Sequence, residues 1–177
     1  MTFSYADLIA NAAVQSSSRY FEAGSYLVQI DACKVFENRQ RRLRAAVECT
    51  ILDSNNPQLP ATSSVSWVVA LDSDSGPGNI KTFIVDLFNC SHQEASSSEK
   101  VAAVFPHEST STASIACGLQ AVVNAYEKET KSGGIFTRVM WKRHDPEKDP
   151  APQFSPHVST VQQSAETAPV SGDPIPF

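Results

Sequence analysis

Between residues 26 and 36 apolar and polar positions alternate. Tyr26, Val28, Ile30 and Ala32 fall on one side, and Leu27, Gln29, Asp31 and Cys33 on the other. A period of two is what a half-buried strand imposes. After the polar Glu37-Asn38-Arg39-Gln40 comes a second alternating run, in which Leu43, Ala45, Val47, Cys49 and Ile51 form the apolar face. Together the two runs predict an antiparallel hairpin. Asp53-Ser54-Asn55-Asn56-Pro57 breaks the chain, and Val65, Trp67, Val69 and Leu71 mark a third strand in phase. A polar connection follows, with Asn79 placed to cap a helix over 80–90, where Ile80, Phe83, Ile84, Leu87 and Phe88 recur at helical spacing. The Ser-rich stretch 92–100 reads as a surface loop. A last hairpin pairs 119–128 with 135–142 around the turn residues Lys131-Ser132-Gly133-Gly134.

The resulting order is strand, strand, strand, helix, strand, strand. That is the order of an OB-fold: a mainly β, five-stranded barrel with a helix between strands 3 and 4. Residues 21–144 hold this domain. Residues 1–20 precede it as a helical extension, with Ser4 and Asp7 as a capping pair and Tyr5, Leu8, Ile9 and Ala12 on one face. So short a helix needs a surface to lie on, across the barrel or on a second copy, so a homo-oligomer stays open. Residues 145–177 hold seven of the eleven prolines and few apolar side chains, and are expected to form a disordered tail.

Charge follows the same division. The net charge is −5, but the tail from Asp145 onward carries −4 and the body only −1. A nucleic-acid partner is therefore not excluded, because the distribution of charge decides and not its sum. Ten of the fourteen Lys and Arg residues gather at two places. Lys34, Arg39, Arg41, Arg42 and Arg44 surround the first hairpin turn, and Lys128, Lys131, Arg138, Lys142 and Arg143 the last. In an OB-fold these two loops flank the oligonucleotide-binding face, so both clusters are expected to converge on one positive groove.

Bases of a single strand also need flat side chains to stack on. Phe136 alternates with Arg138, Tyr126 is in phase with Lys128, and Phe36 shares its face with Lys34, which makes these three the candidates. Trp67 and Trp141 are in phase with core valines and are expected inside.

Other chemistry is thinly represented. Cys33, Cys49, Cys90 and Cys117 are scattered, with no C-x-x-C pair to start a zinc site, so reduced thiols and no metal are expected. No phosphate-cradling or nucleophile-elbow motif occurs, and the four histidines lack matched partners. An enzyme and a cofactor are not expected. Nor is a membrane partner, since no apolar run is long enough to span one. The start of the chain lacks the basic and apolar pattern of a signal peptide, so a cytoplasmic location is expected.

The final residues Gly172-Asp173-Pro174-Ile175-Pro176-Phe177 resemble the tip of bacterial single-stranded DNA-binding proteins. The resemblance implies that Asp173, Ile175, Pro176 and Phe177 dock onto replication or repair enzymes, the terminal Phe in an apolar pocket and its carboxylate on a basic side chain. One Asp stands here where that family has an acidic run.

The body is similar to phage-encoded single-stranded DNA-binding proteins, in Gly24-Ser25-Tyr26-Leu27-Val28, Val65-Ser66-Trp67, Gly78-Asn79-Ile80-Lys81-Thr82-Phe83 and Thr130-Lys131-Ser132-Gly133-Gly134-Ile135-Phe136-Thr137. This resemblance implies a role in DNA replication, recombination or repair in an infected bacterium. The expected function is sequence-independent binding and protection of single-stranded DNA. The alternatives are an OB-like protein-interaction module that does not touch nucleic acid, and an RNA-binding OB domain.

Overall fold

A computed structural model describes residues 19–130 and 133–155. Strand residues outnumber helical ones, 41% to 17%, and six strands form one sheet that curls into a half-barrel. The strands are β1 (Arg19–Tyr20), β2 (Gly24–Glu37), β3 (Leu43–Ser54), β4 (Ser64–Ala70), β5 (Gln120–Glu129) and β6 (Ile135–His144). Their order across the sheet is β1-β4-β3-β2-β5-β6. Neighbours are antiparallel except β1, which runs parallel to β4 through Arg19↔Val65 and Tyr20↔Ser66. Tyr20, expected in a helix, is therefore extended; the rest of that expected helix, residues 1–18, lies outside the described residues.

The long hairpin β2–β3 follows the alternation, with one correction. Register shifts occur between Leu27 and Val28 and between Ile30 and Ala32. The first leaves the extra residue, Leu52, on β3; the second leaves Asp31 on β2, and an extra residue moves those that follow it on its own strand to the opposite face. Tyr26, Val28 and Ile30 are buried as expected, but beyond Asp31 the phase inverts: Cys33 enters the core and Ala32 leaves it. On β3, Ala45, Val47, Cys49 and Ile51 are buried, while Leu43, at the end of the ladder, is exposed.

The helix α1 (Gly76–Phe88) begins four residues before the expected start, and Asn79 does not cap it. Its N-cap is Ser75, and Pro77 sits in the first turn, where a missing N–H costs nothing and the ring presets the backbone angle. Gly76 is the position that permits this. A β-carbon there would run into the carbonyl oxygen of Ala70, on which the connection folds back. Ile80, Phe83, Ile84 and Leu87 present the expected apolar stripe to the sheet.

Residues 92–100 are not a loop throughout. They hold a 3-10 turn (Glu94–Ser96) and the start of α2 (Ser98–Val104), capped by Ser97, whose side chain accepts from the backbone N–H of Lys100. Ala95, Val104 and Phe105 bury their side chains in the core, which gives this Ser-rich stretch its anchor. After α2 the chain lies along the upper part of β2, where Val35 N donates to Pro106 O and Glu108 N to Val35 O.

The start of β2 is fastened by a buried polar cluster. The Tyr26 hydroxyl donates to Glu22 O, and Asn56 Nδ2 donates to Tyr26 Oη and to Ala23 O. Burial pushes the Tyr26 hydroxyl up to about 12, so it stays a donor at any ordinary pH. No helix among the described residues is long and apolar enough to cross a membrane.

Candidate nucleic-acid interface

Core-facing and outward-facing positions are distinct on β5 and β6. Val123, Ala125 and Trp141 point into the core. The alternate positions form the outer face, and there the pairing is Asn124↔Met140, Tyr126↔Arg138 and Lys128↔Phe136. Directly opposed residues have β-carbons about 4.5–5.5 Å apart, so each of these pairs is in contact range. Arg138 is thus bordered by Tyr126 across the ladder and by Phe136 and Met140 along its own strand. Tyr126 and Phe136 are 40% and 45% exposed, unusual for aromatic rings in paired strands.

The last pairing between β2 and β5 is Gly24↔Ala125. Beyond it the β5–β6 hairpin projects as a two-stranded arm. Its outer face carries Tyr126, Lys128, Phe136 and Arg138, while Glu127 and Glu129 alternate onto the opposite face. The two signs of charge are therefore segregated by the pleat. Lys142 lies further along β6 on the same outer face, and Arg143 is exposed beside it. Lys131 falls outside the described residues.

The second cluster sits at the other end of β2. Lys34↔Ala46 and Phe36↔Arg44 are outer-face pairs of β2–β3, and Arg44 in turn pairs with Ala70 of β4. The connecting turn is tightly built. Asn38 Oδ1 accepts from Gln40 N at 2.9 Å and Arg42 N at 3.0 Å, and Asn38 O accepts from Arg41 N. Arg41 has φ +55°, the left-handed region where glycine is favoured. An arginine held there costs roughly 1–2 kcal/mol relative to its ordinary backbone.

Three of these cations already have intramolecular partners. Lys34 Nζ is 2.7 Å from Glu48 Oε1. Asp72 receives both Arg44 Nη1, at 2.5 Å from Oδ1, and Arg42 Nη1, at 3.7 Å from Oδ2. The Arg44 hydrogen bond holds the Asp72 carboxyl below its ordinary value. Among the described residues no acid pairs with Arg39, Arg41, Lys128, Arg138, Lys142 or Arg143.

Along the sheet the two clusters are thus at opposite ends of β2. A cleft of about 450 Å³ separates the edge of β4 (Trp67 to Ala70) from that of β6 (Phe136 to Trp141), over the first turns of α1. Ala70, the partner of Arg44, lines it together with Phe136 and Arg138. Its deep side is aromatic: Trp67 and Trp141 have ring centroids 5.6 Å apart, and Phe83 stacks edge-on to Trp141 at 5.0 Å. Trp67 and Trp141 accordingly pack with the core, as expected.

Asp72, Met140 and the polar residues Asn79, Thr82 and Asp86 of the cleft were not among the expected site residues. Only the register of β4 beside β3, and the curl that brings β6 near β4, reveals them. The tip residues Asp173, Ile175, Pro176 and Phe177 lie outside the described residues. Of the cysteines, Cys33 and Cys49 are buried, Cys90 is partly buried and Cys117 is exposed. Burial pushes Cys33 up to about 12 and Cys49 well above its ordinary value, so both stay protonated, the form that neither attacks nor ligates. Among the described residues no three His, Cys, Asp or Glu side chains cluster as a metal site. No protein-family model matches the chain, and no curated protein matches it either.

Proposed function

We propose that this protein binds single-stranded DNA without regard to sequence and protects it during phage DNA replication, recombination or repair in the cytoplasm of a bacterial host. The observation that carries the proposal is the outer face of the β5–β6 arm, where exposed Tyr126 and Phe136 sit opposite Arg138 and Lys128 in register. Alternating rings and cations are what a single strand requires: stacking at roughly 1–3 kcal/mol per base, and neutralisation of the phosphates between. The half-barrel is read as an OB-type barrel with its β4–β6 seam open, since β2 to β6 follow that fold's order with α1 after the third of them. The role is non-enzymatic and needs no cofactor.

In the same proposal the C-terminal tip, through Asp173, Ile175, Pro176 and Phe177, recruits replication or repair enzymes. Titration of the intact chain with a labelled oligonucleotide at several salt concentrations tests DNA binding. Log affinity falls with log salt, by about 0.7 for each phosphate neutralised. Absence of binding to DNA at low salt ends the proposal, and competition against RNA separates it from an RNA-binding domain. A second reading, a protein-interaction module that does not contact nucleic acid, is favoured by one observation: Asp72 already occupies Arg42 and Arg44.

A further inference from the structure

The cleft between β4 and β6 has features that backbone-tracking alone does not use. Its volume of about 450 Å³ falls within the roughly 300–1,000 Å³ typical of small-ligand sites. Its walls combine the rings of Trp67, Phe83 and Trp141 with three polar side chains of α1, Asn79, Thr82 and Asp86. Trp141 is only 6% exposed, and its indole Nε1, buried, has no hydrogen-bond partner. A buried donor of this kind destabilises the fold until an acceptor reaches it.

Thr82 is not the group that completes the set, because its hydroxyl donates to Gly78 O. Asp86 is. It makes no ion pair among the described residues, and burial raises its carboxyl above the ordinary value, so it gains from any donor brought to it. The cleft is therefore lined by Asp86, an acceptor without a donor, and by Trp141, whose buried Nε1 lacks an acceptor, with aromatic surface beside them. It also opens beside Phe136 and Arg138, where the proposed strand runs.

We infer that this cleft receives one unstacked base of the bound strand, and that at this one position it adds to otherwise sequence-independent binding a preference for a base with an exocyclic amino group over thymine. The amino group donates to Asp86, as carboxylates accept from cytosine N4 elsewhere. A ring nitrogen or carbonyl of the same base accepts from Trp141 Nε1. The inference rests on the proposed single-strand binding.

The test is a set of titrations of the intact chain with two oligonucleotides of equal length, one all deoxycytidine and one all thymidine. Because the two differ in their own stacking, the informative quantity is the change in their affinity ratio on substitution. Asp86→Ala, on a partly exposed and helix-compatible position, lowers the ratio of cytidine to thymidine affinity by about tenfold or more, the worth of one hydrogen bond to a charged group. Thymidine affinity stays within about twofold of the unsubstituted chain. Trp141→Phe keeps a ring in place, removes the donor, and lowers affinity for both oligonucleotides by about threefold or more. If both oligonucleotides bind and the ratio is the same in Asp86→Ala, the base cleft is wrong while single-strand binding stands. If neither oligonucleotide binds at low salt, both proposals fall.

Discussion

In the proposed complex Asp72 stands where a phosphate would. Its two oxygens engage Arg44 and Arg42, and it is itself exposed. If a DNA strand passes over β3 and β4, its phosphates must displace this carboxylate to reach either guanidinium. The substitution Asp72→Asn removes the competing charge at nearly constant volume. Two further cations become available, so the slope of log affinity against log salt steepens by up to about 1.4, at 0.7 per phosphate. With affinities equal near 1 M salt, each added contact is worth about fivefold at 0.1 M, and the pair up to about 25-fold.

Fluorescence anisotropy of a labelled oligonucleotide, from roughly 0.05 to 0.5 M salt, reads both quantities. Binding that is unchanged or weakened in Asp72→Asn at every salt concentration would refute the reasoning: Arg42 and Arg44 would then be off the DNA path, or Asp72 would be holding them in place for it. Mild acid does not mimic the substitution. The Asp72 carboxyl is held below its ordinary value by Arg44, so its stabilising pair is complete above the unfolded carboxyl range and is lost only as pH falls through the lower folded value. The two chains therefore bind DNA differently at pH 5 as at pH 7, and any difference in their thermal stability vanishes only in stronger acid.

Three other perturbations separate stability from function. Arg41→Gly relieves the left-handed backbone of the first hairpin turn, so it raises stability by about 1 kcal/mol, or roughly 3–5 °C in Tm, yet weakens DNA binding by removing an unpaired cation; a chain that is stabilised with DNA affinity intact places this turn outside the interface. Gly76→Ala forces a β-carbon onto Ala70 O and lowers stability by about 3 kcal/mol in denaturant titration, and a cost under about 1 kcal/mol would show that the β4–α1 connection has room to move. Deletion of Phe177 leaves DNA affinity within about twofold while abolishing capture of partner enzymes, and partner binding that persists would remove the tip from its proposed role.

Much of this fold was legible because most segments obey a single period. Tyr26-Val28-Ile30 and Ala45-Val47-Cys49-Ile51 alternate cleanly, and Ile80-Phe83-Ile84-Leu87 repeat at helical spacing, so five strands and α1 lie close to where the pattern puts them. What escaped was set by geometry that side-chain polarity does not encode. Asp31 keeps the polar phase of the alternation, yet it is the extra residue of a bulge that exchanges Ala32 for Cys33 in the core. Gly76-Pro77-Gly78 has the composition of a turn but forms the first turn of a helix, because Gly76 tolerates the close approach of Ala70. The run of serines before Lys100 hid Ser97 as an N-cap, which is visible only once Val104 is known to be buried.

The candidate interface divides in the same way. Strand phase alone put Tyr126 with Lys128 and Phe136 with Arg138. It could not supply the register that sets Tyr126 opposite Arg138 and Lys128 opposite Phe136. Nor could it show that the two basic hairpin ends stand at opposite ends of β2. Asp72 illustrates the limit well: in the chain it is one acid in a polar connection, and only the pairing of Arg44 with Ala70 brings it within reach of two arginines.

The central claim is that the outer face of the β5–β6 arm holds the strand, and a pair of ring deletions there tests it most directly. In Tyr126→Ala/Phe136→Ala both rings are already exposed, so the folded state loses little packing and the Tm stays within a few degrees. Measured on an oligonucleotide at fixed salt, affinity falls by about 30-fold or more, two stacking contacts at roughly 1–3 kcal/mol each, while the salt slope is unchanged because no cation has been removed. A folded double variant that binds single-stranded DNA as tightly as the unsubstituted chain would contradict the claim.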